Sequence, residues 1–164
     1  MLLKGFLCLV GFWMYGDPGD GCPQFNLTVT VQTEGEKATS AQTHLVPSDR
    51  KPSVVVLTVR KNQPLRVKWV VHNVDKLFEF SDVYVHFFAV EEEEIGQKKL
   101  PDLGPDVAHE GVMTMDFEPG EKAEGTFSLT LNKPGAYLIR AETLYMADSV
   151  HEHDHYAAVE VLVE

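Results

Sequence analysis

The sequence predicts an all-β fold, a single antiparallel β-sandwich of about seven to nine strands. Three observations predict it. Hydrophobic residues recur with a period of two from Phe25 onward. The segments so marked are separated by turns rich in Pro, Gly, Asn and Asp, and beyond the amino-terminal stretch no long window carries a helical stripe. Strands at this spacing, without helices between them, close into two packed sheets or a barrel.

Composition sets the bounds. A chain of 164 residues is one domain's worth and can bury one sizeable core. Hydrophobic residues at 44% and charged residues at 24% match an ordinary globular domain. The formal net charge of −11 repels a phosphate backbone, and no basic stripe offsets it, so no nucleic-acid partner is expected. Cys8 and Cys22 are too few for a disulfide scaffold or a Cys-rich zinc module.

The elements follow in order. Lys4 and the free amine flank an apolar run, Gly5 to Tyr15, too short for a stable membrane span, which needs about 20 residues, but of signal-peptide length. Gly19-Asp20-Gly21 offers a cleavage position, so residues 1–21 are expected to be a leader and 22–164 the sandwich domain, exported to the periplasm, cell envelope or exterior. Phe25, Leu27, Val29 and Val31 alternate with polar neighbours as a half-buried strand. Val54 to Val59 is β-branched, and Leu65, Val67, Trp69 and Val71 alternate after Pro64. Asp82 to Val90 is apolar on both faces, as in a strand at the middle of a sheet. Val112 to Phe117 is shorter; Phe127, Leu129 and Leu131 alternate; Ala136 to Tyr145 follows the Lys133-Pro134-Gly135 turn; His155 to Val163 closes the chain. The segment Glu91 to Gly111 reads as one long loop, of a length that in compact domains tends to carry function.

The stretch EPGEKAEGTFSLTLNKPGAYLIRAET, Glu118 to Thr143, resembles the last hairpin of immunoglobulin-like and fibronectin-type-III-like sandwiches, with Gly135-Ala136-Tyr137 supplying a Tyr between the sheets. PLRVKWVVHN fits an inner strand of the same architecture. The resemblance implies an immunoglobulin-like sandwich and no particular activity. The hairpin is also similar to that of cupredoxins, but the residues after Tyr137 include no copper-ligating Cys, which excludes a blue-copper centre. The HFF strand, the late Arg-x-Glu strand and the His-rich turn resemble uncharacterised bacterial exported domains.

One cluster suggests chemistry. In HEHDHY, His151, His153 and His155 share parity with Ala157, Val159, Val161 and Val163. Alternate residues of a strand sit about 6.5–7 Å apart on one face, so neighbouring imidazoles there can converge on zinc, copper or nickel. The competing reading is a polar connection whose histidines happen to alternate. His86 and His109 are candidates to complete a metal site, with His44 and His72 behind them; His86 also reads as a core histidine needing a hydrogen-bond partner. His109 precedes Met113-x-Met115, whose soft sulfurs suit copper(I) but equally suit packing. Glu91 to Glu94 reads as an extended, solvated run. There is no nucleophile elbow, phosphate-cradling loop or His-Glu-x-x-His pair, so no catalysis is expected. The expected function is therefore a non-catalytic exported binding or structural module with an unidentified protein partner. The alternative is a periplasmic divalent-metal (zinc, copper or nickel) binder using the histidine cluster.

Overall fold

A computed structural model describes residues 25–42, 54–97, 107–147 and 151–164. The leader, Cys8 and Cys22, His44, and residues 98–106 of the Glu91–Gly111 loop lie outside the described residues. The described residues form nine strands: β1 (Phe25–Gln32), β2 (Lys37–Gln42), β3 (Val56–Val59), β4 (Pro64–Asn73), β5 (Phe80–Glu92), β6 (His109–Phe117), β7 (Lys122–Thr130), β8 (Gly135–Ala147) and β9 (His151–Val163). Two sheets face each other, one in the order β2-β1-β4-β7 and the other β3-β9-β8-β5-β6.

The neighbour relations β1–β4–β7 and β9–β8–β5 are those of the two sheets of an immunoglobulin domain, with β6 added beside β5. Another mark of that architecture is a Tyr near the start of β8. Tyr137 is 4% exposed, and its hydroxyl donates to the Lys133 carbonyl at 3.1 Å, the bond that pins the corner between β7 and β8. The expected all-antiparallel arrangement has one exception: β3 runs parallel to β9. Its backbone connects directly into β4 of the opposite sheet, so the chain changes sheets there rather than making a hairpin.

Alternation does the sorting. Phe25, Leu27, Val29 and Val31 of β1 and Ala157, Val159, Val161 and Val163 of β9 are buried between the sheets, each series at every second residue. At about 25 cal/mol per Å² of apolar surface, these inward rows supply most of the drive to fold. Asn73, fully buried, satisfies its amide locally: Nδ2 donates to the carbonyls of Phe78 and Glu118, and Oδ1 accepts from the Asp75 amide. One side chain thus ties the β4–β5 and β6–β7 turns together at that end of the sandwich.

Strands differ from expectation in extent, and β6 is one: it begins at His109, inside the expected Glu91–Gly111 loop, because β5 supplies its ladder. Strand β5 continues through Glu92, where a solvated loop was expected, and β9 begins at His151, four residues before its apolar part. In each case the partner strand β8 supplies the ladder that the side chains do not call for. Strand β2 (KATSAQ) was not expected at all; it pairs with β1 and, among its described side chains, buries Ala38 and Ser40.

Candidate functional site

The five-stranded sheet ends in β6, and register assigns its faces. Val112 pairs with His86, which pairs with Glu142, which pairs with Tyr156; this row lies on the outer face. Met113 pairs with Val85, and Val85 with Thr143, on the inner face. Among the described residues nothing pairs with the other side of β6.

The four sheet edges are not alike. Strand β3 is four residues long, β2 is six, and β7 carries Lys122 and Glu124, the latter salt-bridged to Lys68 at 2.7 Å. Short length and charge are the usual protections of an edge. Strand β6, HEGVMTMDF, has nine residues and no Lys, Arg or Pro, and leaves Val112 59% and Met113 38% exposed. Next to it on the outer face Tyr84 of β5, opposite Thr114, is 46% exposed.

Behind this edge the core is made of flat rings laid over glycine. Trp69 and Phe87 stack across the sandwich with centroids 5.5 Å apart, and Phe87 stacks in turn on Phe127 at 5.5 Å. Phe87 lies over Gly111 and Trp69 over Gly125. A Cβ at Gly111 would meet the Phe87 ring at 2.3 Å, and one at Gly125 the Trp69 ring at 2.4 Å. Only glycine lets the rings approach the edge strands so closely.

The histidines considered for a metal are placed apart. His86 lies on the outer face, with Nδ1 2.9 Å from Glu142 Oε1 and Nε2 3.0 Å from Glu110 Oε1. Glu142 also pairs with Arg140 at 2.6 Å, and the Arg140 guanidinium lies 3.9 Å above the Tyr156 ring. The network ties β6, β5, β8 and β9 together. His109 stacks on Phe127 with centroids 4.0 Å apart and planes 9° apart. It shares the inner face with Met113, but four residues along a strand is about 13 Å, too far for a shared ion. His155 is on the inner face of β9, 4% exposed, its ring edge-on to Phe25 at 6.2 Å. His86 and His155 thus lie on opposite faces of one sheet, and His109 at its far edge. His151 and His153 occupy alternate backbone positions of β9, opposite Ala147 and Tyr145. His72 lies on β4, its imidazole held below its ordinary value by burial and then by the Lys122 charge. Among the described residues no group of three or more His, Cys, Asp or Glu is placed to hold a metal ion.

A second feature escaped the sequence. The outer face of this sheet carries a small apolar cluster, Phe88, Val90 and Leu138, packed with Val107 and Ala158. Beside it Glu92 and Glu160 are each 8% exposed, and the Gly96 amide donates to Glu160 Oε2 at 2.6 Å. The segment after β5 therefore folds back over the sheet. Burial first, then the charge of Glu160, pushes the Glu92 carboxyl up to about 7. Expected solvated, Glu92 is instead the last buried residue of its strand. Only the ladder with Ala136 signals this, and that is a tertiary fact.

Comparison with known proteins adds little to the strand pairing. No protein-family model matches the chain, and no curated protein does. Among solved structures, the C-terminal domain of wzt is similar over 92% of this chain and 83% of its own, at 10% identity and a TM-score of 0.45. The CARDB domain of a Pyrococcus furiosus protein is similar over 87% of this chain and 97% of its own, at 16% identity and a TM-score of 0.46. Likenesses of this size carry no argument about function. The class is set by the chain's own topology, an immunoglobulin-like β-sandwich. Among the described residues no helix is long and apolar enough to cross a membrane.

Proposed function

We propose that the chain is a non-catalytic binding module that recognises a protein partner by accepting an extended segment along β6. The observation that carries the reading is the contrast between edges: among the described edge strands, β6 alone combines a nine-residue length with exposed Val112 and Met113 and no Lys, Arg or Pro. Backbone N–H and C=O groups along such an edge supply affinity, and the alternating side chains supply selectivity. The leader-like residues 1–21 support a place in the periplasm, cell envelope or exterior.

The test is a library of ten-residue peptides selected on the wild-type chain and measured again on Val112→Lys. Lysine on an edge discourages strand addition, and the position is exposed enough to accept it. Peptides with alternating apolar residues that lose at least about tenfold in affinity for the variant support the reading. Selected peptides that bind both proteins equally overturn it.

One observation favours a second reading. Strand β9 runs back through His151, so His151, His153 and His155 do alternate within one strand, the condition a zinc, copper or nickel site would need. His86 and His109 have no part in it. Titration with zinc, comparing wild type with the triple His→Ala variant, decides: a loss of binding supports the site, and equal affinities retire it.

A further inference from the structure

Resting on the reading of β6 as the recognition edge, we propose that its partner is β6 of a second copy of this chain. The two strands run antiparallel about a two-fold axis at Val112, joining two five-stranded sheets into one.

Parity and charge select that register. Opposed residues of an antiparallel pair share a face, so a two-fold axis perpendicular to the sheet must pass through a residue pair of one kind. An axis at Met113 sets Glu110 against Asp116 of the second copy, like charge against like. An axis at Thr114 sets Val112 against Asp116, an apolar side chain against a charge. An axis at Val112 has neither fault. It places Val112 on Val112, Glu110 against Thr114, His109 against Met115, and Gly111 against Met113 of the second copy.

The last pair explains two facts together. Met113 is large and 38% exposed, whereas Gly111 has no side chain and is overlain by the Phe87 ring. In the proposed register each Met113 lies beside the Gly111 of the other copy, where its sulfur meets the edge of Phe87, a favourable contact for a thioether. On the outer face the two Val112 side chains, each 59% exposed, cover each other and extend the apolar surface of Tyr84. The price is long-range repulsion between two acidic chains, each of formal charge −11. Salt screens that repulsion, so association must tighten as ionic strength rises.

The experiment uses the full chain with Cys8 and Cys22 replaced by Ser, carrying either Val112→Cys or Thr114→Cys. Two-fold pairing at Val112 brings the two Cα atoms to about 4.5–5.5 Å, within disulfide range. The two copies of residue 114 stand about 14 Å apart, four residues of rise plus the strand spacing, far beyond it. Mild oxidation is expected to give a covalent dimer with Val112→Cys and none with Thr114→Cys. Sedimentation of the cysteine-free chain is expected to show a dimer that grows with concentration and with salt and is abolished by Val112→Lys. Equal cross-linking of the two variants, or a monomer under all these conditions, overturns self-pairing. If that monomer still binds library peptides in a Val112-dependent way, only the identity of the partner fails; if it binds none, the reading of β6 as a recognition edge fails as well.

Discussion

Replacing Glu92 with Gln removes a carboxylate that the fold buries beside another. Glu92 is 8% exposed at the end of β5, and its Oε2 has no hydrogen-bond partner among the described residues. Burial, with the charge of Glu160 adding to it, raises its carboxyl from 4.5 to about 7. That difference corresponds to about 3 kcal/mol of ionisation free energy, an upper bound if water reaches the group. Between those two values the folded chain keeps a proton that the unfolded chain has released. Glu92 therefore contributes fully below about pH 4.5, and its contribution is lost as the pH rises through about 7. Glutamine keeps the shape and cannot ionise. The variant is expected to match wild type near pH 4.5 and to exceed it near pH 8 by up to about 3 kcal/mol, roughly 6–12 °C in Tm for a domain of this size. Urea denaturation followed by tryptophan fluorescence across that pH range reads the difference. The comparison between variants cancels the general effect of the acidic surface. An advantage of Glu92→Gln that is absent at high pH, or equal at every pH, would refute the burial argument.

Other perturbations test the packing behind the edge. Gly125→Ala forces a methyl into the Trp69 ring and is expected to cost about 1–3 kcal/mol, with altered tryptophan emission; an unchanged denaturation midpoint would contradict the ring-over-glycine packing. Glu142→Ala leaves Arg140 and His86 without their shared carboxylate and is expected to cost about 2 kcal/mol by the same assay, whereas Lys68→Ala, at an exposed pair, is expected to cost less than about 1. Phe25→Ala empties the space against Phe80, Phe117 and His155 and is expected to cost about 3–5 kcal/mol; a loss below about 1 would move Phe25 out of the core.

What the sequence disclosed and what it withheld have physical reasons. Strands β1, β4, β7 and the second half of β9 were legible because one face of each meets the core, and inward Val, Leu and Phe write that face into the chain with period two. Strand β2 was hidden because it is held by ladder hydrogen bonds to β1 and its buried described side chains, Ala38 and Ser40, are small. Glu92 and the first residues of β9 were hidden for the same reason: β8 recruits them, whatever their side chains prefer. Tyr137 was legible as a ring between the sheets, although its bond to Lys133 was not. The histidines show the limit most clearly. Parity set His151, His153 and His155 in line with the apolar residues of β9, but whether His86 shares a face with His155 depends on the register between strands, which one-dimensional pattern does not carry. The exposed edge is likewise a property of order in the sheet. Val112 to Phe117 reads as an ordinary short strand after a loop until β5 and β8 are seen to leave β6 outermost.

Amide hydrogen exchange along residues 109–117 tests the central claim most directly, because a free edge strand has amides of two kinds. In dilute solution those directed at β5 should exchange slowly and the alternating set directed outward should exchange fast, and raising protein concentration and salt should slow the outward set while leaving β7 unchanged. Uniform protection of β6 in the dilute chain, or slowing confined to β7 or β2, would mean that this edge is already covered or that recognition takes place elsewhere.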